Sequence, residues 1–167
     1  MKYSDRPRLI IEVSDADKLI DIISITMLAS AFVYLSMNYS ALPDRIPTHF
    51  DGSGHPDGWG SKETIWFLPV LGALLFFGLR FLYNIPHRFN YLVEITADNA
   101  EKQYRLAVNM IRYLNLAIAI IFSVIVISMI QIALNRADGL SPLFMVLIVL
   151  LIFLPSVYFI YKSLLNK

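Results

Sequence analysis

Four long apolar runs limit what this chain can fold into. They cover about residues 22–42, 65–83, 114–134 and 142–161. Each approaches or reaches the ~20 residues needed to cross a hydrocarbon layer ~30 Å thick. Backbone amides in lipid must be paired within their own segment, so the runs are expected to be helices. Four buried helices of a soluble bundle would need polar outer faces, which "LNLAIAIIFSVIVISMIQIAL" lacks. Composition agrees: 57% of residues are hydrophobic and only 16% are charged, against about 25% charged in an ordinary soluble domain. The expected fold is an all-α membrane protein, one integral membrane domain over residues 1–167. It has four transmembrane helices, a short extracytoplasmic β-hairpin and a cytoplasmic amphipathic helix.

Basic residues set the expected orientation. Eleven of the fourteen lysines and arginines lie in the N-terminal tail, the connection between the second and third runs, or the C-terminal tail. Only Arg45, Lys62 and Arg136 lie on the other side. Both termini are therefore expected in the cytoplasm, in a multi-pass protein of the cell (inner) membrane with the lipid bilayer as its first partner. The start, "MKYSDRPRLIIEVSDADK", lacks the clean apolar core of a cleavable signal and reads as a short soluble tail. A net charge of +1 gives no reason to expect nucleic acid. With no cysteine there is no disulfide, thiol chemistry or Cys-ligated metal. No signal specifies an oligomeric state.

Two soluble pieces remain. In the cytoplasmic loop, residues 84–113, Thr96 or Asp98 is expected to cap a helix with Glu101 and Lys102 on its exposed side. Leu106, Met110 and Tyr113 follow at helical spacing, so this helix is expected to lie partly in the interface before the third span. Arg105 and Arg112 would snorkel to headgroups, and Asp21 would be solvated at the cytoplasmic edge. The extracytoplasmic piece, residues 43–62, contains "RIPTHFDGSGHPDGWG". Its prolines discourage helix and "DGSG" tolerates positive φ, so a hairpin is expected: 46–50 out, 51–54 turning, 55–60 back. Alternate side chains share a face, so His49 and Asp51 point together, as do His55 and Asp57, and strand pairing would gather all four. Trp59 is placed as an interfacial anchor.

The run "LPDRIPTHFDGSGHPDGWGSK", an apolar span, and then "YNIPHRFNY…ITADNAEKQYRLAVNMIRYL" resemble a bacterial and archaeal membrane family. It is the domain of unknown function that also forms the N-terminal part of SdpI-type immunity proteins. The resemblance covers about residues 42–114. It implies protection against a secreted toxic peptide, an outer recognition surface at the hairpin, and a docking surface for a cytoplasmic regulator at residues 86–113. SdpI-type proteins continue with a further membrane region after the four spans.

Two polar groupings are candidate sites. His49, Asp51, His55 and Asp57 combine imidazole and carboxylate donors that suit a first-row divalent metal. The same residues also serve a tight hairpin without any metal, and no cofactor is expected. Ser128, Gln131 and Asn135 form one stripe on the third span; Ser30, Tyr34 and Asn38 form one on the first. These either bond helices together or line an outward-opening polar pocket. The residues expected to recognise a ligand or partner are His49, Asp51, His55, Asp57, Trp59, Asn38, Gln131 and Asn135. No nucleophile–base motif, phosphate-cradling glycine loop or zinc-protease helix is present, so a non-enzymatic role is expected. The leading expectation is immunity to, or sensing of, an extracellular peptide. The alternative is a structural or accessory subunit of a larger membrane complex or transporter.

Overall fold

The computed structural model describes residues 6–166; Lys2 and Lys167, counted in the charge asymmetry, lie outside the described residues. Four helices carry the fold: α1 (Asp15–Asn38), α2 (Phe67–Leu82), α3 (Ala100–Ala133) and α4 (Pro142–Leu165). With the short 3₁₀ turns that flank α1 and α2, all four are long and apolar enough to cross a membrane. Strands β1 (Arg45–Phe50) and β2 (Pro56–Ser61) form an antiparallel hairpin between α1 and α2. The first and last described residues, Arg6 and Asn166, lie at one end of the bundle and the hairpin at the other.

Helix α3 is the axis. Half of its most apolar stretch is buried within the protein, against 11% for α4. Helices α1, α2 and α4 all pack on α3, while α4 makes no comparable contact with α1 or α2. The buried face of α1 is Asp17, Ser24, Leu28, Ala31 and Leu35, a stripe at helical spacing. Facing it, α3 offers Ala119 and Ser123, small side chains that let two backbones approach. The Ser123 hydroxyl donates across the interface to the Met27 carbonyl at 3.1 Å.

Helix ends follow local sequence. "SDAD" before the first apolar run is a capping box: the Asp17 N–H donates to Ser14 Oγ (3.2 Å), and the Ser14 N–H donates to Asp17 Oδ2 (3.0 Å). Thr96 and Asn99 exchange the same two bonds in the turn that leads into α3, whose N-cap is Asn99 rather than the expected Thr96 or Asp98. At its far end α3 closes through Asn135, the described non-glycine residue with positive φ, at 54°. The Arg136 N–H reaches the Gln131 carbonyl (2.8 Å) and the Asn135 N–H the Ile132 carbonyl (3.0 Å). That pair of bonds is a Schellman closure, with asparagine in the usual glycine position.

Three expectations need correcting. Residues 100–113 are not a separate interfacial helix. They are the first part of a continuous α3, with Ala100, Tyr104, Val108 and Ile111 buried. Their partners are the N-terminal segment and the loop: Leu9, Ile11 and Tyr91 pack against Val93, Ile95, Ala100 and Tyr104. The N-terminal segment is therefore not a free tail but a strap. Arg6 Nη1 donates to the Phe89 carbonyl (2.7 Å), and Arg105 Nη1 donates to the Glu12 carbonyl (3.1 Å). Arg112 and Asp21 are paired rather than solvated: they face each other with Arg112 buried and Asp21 largely so, as described below. Prolines behave simply: Pro69 sits in the first turn of α2, and α4 continues through Pro155.

Candidate functional site

The hairpin is built into the bundle rather than perched on it. Ile46 is fully buried in a cluster with Leu35, Leu42, Ile65, Val126, Met129, Ile130 and Ala133. Its tip is tied to the α3–α4 connection, because the Leu140 N–H donates to the Gly54 carbonyl at 2.8 Å. Gly54 has φ +90, and a Cβ there would stand 2.4 Å from the Leu140 carbonyl oxygen. Only glycine meets both demands. The two connections at this end of the molecule therefore form one clamped surface.

Two bulges decide which polar side chains meet. Pro47 pairs with Trp59, His49 with Gly58 and Phe50 with Pro56, so Thr48 on one strand and Asp57 on the other are each extra. Bulges re-aim side chains, and here they bring His49 Nδ1 to 2.5 Å from Asp57 Oδ1. A Cβ at Gly58 would lie 2.8 Å from His49 Cβ, so the glycine makes room for that crossing. Asp51 instead organises the tip. Its Oδ1 accepts from the Ser53 hydroxyl (2.7 Å), the Ser53 N–H (2.9 Å) and the His55 N–H (2.9 Å). The Ser53 hydroxyl also lies 3.0 Å from His55 Nδ1. Bonding to Ser53 and then to the His55 amide holds the Asp51 carboxyl below its usual range.

The four residues thus form two pairs rather than one tetrad. Among the described residues, no group of three or more His, Cys, Asp or Glu side chains is placed to hold a metal ion. The face is open: the His49 side chain is 72% exposed and that of Asp57 47%, and Trp59 is also exposed. An ion pair so wet contributes ~0–1 kcal/mol to stability, so it is available to a partner at little cost.

The two intrahelical stripes are committed to structure. Gln131 Nε2 donates to the Tyr34 hydroxyl and so ties α3 to α1. Asn38 bonds within its own helix, to the Tyr34 carbonyl at 2.8 Å. Asn135 closes α3, and Ser30 lies on the exposed side of α1.

Sequence reasoning missed a charged cluster at the termini end. Arg112 is 2% exposed and sits 2.9 Å from Asp17 Oδ1 and 3.2 Å from Asp21 Oδ1. Arg80, from the end of α2, reaches Asp21 Oδ2 at 2.5 Å, and the Arg112 guanidinium stands 4.9 Å from the centre of the Tyr83 ring. Asn115, one turn further along α3, donates to the Phe76 carbonyl and the Tyr83 hydroxyl. Two carboxylates and two guanidiniums balance, so the cluster locks α1, α2 and α3 together without net charge. The available signal was Asp17 and Asp21 four residues apart on one helical face, the second at the edge of an apolar run.

Comparison with known proteins locates the similarity in the same region. The family model of a domain of unknown function (DUF1648) matches residues 26–73, which run from α1 through the hairpin into α2. An uncharacterized protein of Archaeoglobus fulgidus is 26% identical over 89 residues, 51% of this chain. The match spans about half of that relative's length, 49%. No solved structure matches the chain. Four apolar helices and a segment similar to a domain of unknown function fit a multi-pass membrane protein.

Proposed function

We propose that the chain is a non-enzymatic four-span protein of the cell membrane, with both termini in the cytoplasm and the hairpin outside. The hairpin face recognises an extracellular peptide or amphiphile and confers protection against it or relays its presence. A cytoplasmic regulator would dock on residues 86–113. The observation that carries this reading is the clamped hairpin: Ile46 is locked into the core and Gly54 against Leu140, while His49, Asp57 and Trp59 stay exposed. A rigid surface offering an aromatic ring beside an ion pair suits an amphiphilic peptide, and pre-organisation lowers the entropic cost of binding. The resemblance to SdpI-type immunity proteins points the same way. Challenge with membrane-active peptides tests it. A deletion strain should become sensitive to at least one of them. Chain carrying Trp59→Ala with His49→Ala, present in the membrane at normal level, should fail to restore resistance. Unchanged sensitivity of the deletion strain to every peptide would contradict the proposal.

A second role is favoured by α4, whose main packing partner is α3 and whose outer face is apolar along its length. An accessory subunit would seat that face against a larger membrane partner. Gentle extraction and affinity capture would then bring down one stoichiometric membrane protein. Recovery of the chain alone would remove this alternative.

A further inference from the structure

Where α2, α3 and α4 meet at the termini end, the packing leaves a slot. Because α2 and α4 make no sustained contact, α3 is left uncovered between them. A cavity of about 440 Å³ lies there, in the ~300–1,000 Å³ range of small-molecule sites. Its walls are mostly apolar: Leu106, Met110 and Ile111 from α3, Phe159 and Ile160 from α4, and Leu82 from α2. Among the described residues no aspartate or glutamate lines it, and Arg88 stands among its lining residues.

The charge around this slot is one-sided. His87 and Arg88 follow the proline-marked turn after α2, and the strap brings Arg8 beside them. Arg8 and Arg88 are exposed and have no carboxylate partner among the described residues. Burial, and then the charges of Arg8 and Arg88, hold the His87 imidazole below its usual range. The adjacent cavity beneath the strap is different. It is lined by Asp21, Arg80 and Arg112, which together with Asp17 form the charge-balanced cluster described above.

We propose that the slot binds an anionic phospholipid, with an acyl chain lying along α3 between α2 and α4 and the phosphate meeting Arg88 and Arg8. Basic pockets between membrane helices suit such headgroups, and the apolar depth of the slot selects a lipid over a free anion. The site rests on the four-span membrane reading and is independent of what the hairpin recognises.

The full chain in nanodiscs of mixed phosphatidylcholine and phosphatidylglycerol provides the test, with retained lipid identified by native mass spectrometry. Wild type should retain phosphatidylglycerol in preference to phosphatidylcholine. Arg8→Gln with Arg88→Gln should lower that preference roughly tenfold or more, at about fivefold per cation. Met110→Trp, which fills the slot and leaves both arginines, should also lose the lipid. Lys102→Gln, exposed at the same end but outside the slot, should change nothing, and excess inorganic phosphate should not displace the lipid. Absence of preference in wild type, its persistence in the double variant, or displacement by phosphate alone would overturn the site. Failure of the chain to enter nanodiscs at all would overturn the membrane reading and the site with it.

Discussion

Arg112 shows how much one residue can settle. Its guanidinium is enclosed by Asp17, Asp21, Asn109 and the Tyr83 ring, with neighbours drawn from three elements. Arg112→Ala leaves Asp17 without its cation beside Asp21, which keeps Arg80, and removing one partner of a buried ion pair typically costs ~3–5 kcal/mol. Arg112→Lys keeps the charge but loses the planar fork that serves both carboxylates, so a smaller loss is expected. Unfolding in mixed micelles measures both; an alanine variant as stable as wild type would show that water reaches the cluster. Asp51 sets a pH dependence at the opposite end. Its folded value lies below the ordinary 3.8 because Ser53 and the His55 amide bond its ionised form. Its contribution to the turn is therefore complete above the ordinary carboxylate range and is lost as pH falls through the lowered folded value. The Ser53 and His55 amide resonances should move together on acidification, and Asp51→Asn should abolish that transition.

At the scale of elements, the hairpin was legible almost to the residue: strands expected at 46–50 and 55–60 are Arg45–Phe50 and Pro56–Ser61. Proline and glycine placement dictates a turn through local sterics alone. The grouping of its side chains was not legible, because period-two alternation assumes a regular ladder and two bulges break it. The clamp on Leu140 was equally hidden, since it joins backbone atoms far apart in sequence. Gly54→Ala should therefore do more than perturb a loop. A side chain at this positive φ and this close approach costs ~1–3 kcal/mol in strain. It should also free the tip, and hydrogen exchange at the Leu140 amide should rise while the α1–α3 interface stays protected. Protection at Leu140 unchanged from wild type would show that the two connections are not coupled.

For the whole molecule, hydropathy found all four long helices because a segment of ~20 apolar residues has few alternatives. It missed the beginnings of α1 and α3, where charge is carried inward. The Ser14–Asp17 capping box starts α1 seven residues before the apolar run. Residues 100–113 continue straight into α3 because Gln103, Tyr104 and Arg112 find partners or enclosure in the strap, the loop, α1 and α4. Gln103 shows the pattern. Fully buried, it donates to the Ser163 and Asn166 carbonyls (3.0 and 2.7 Å) and satisfies groups left over at the end of α4. Polar residues mark span edges when they are solvated and mark interhelical contacts when they are paired; sequence alone does not separate the two.

The proposed topology holds the clamped hairpin outside the membrane and the strap and loop inside. Because the chain has no cysteine, single cysteines report position without background. Gly52→Cys adds a side chain into open space at the hairpin tip, and Lys102→Cys replaces an exposed residue at the other end. With a membrane-impermeant maleimide, intact cells should label Gly52→Cys and spare Lys102→Cys until the membrane is opened. Labelling of Lys102→Cys in intact cells, or protection of Gly52→Cys, would contradict the account.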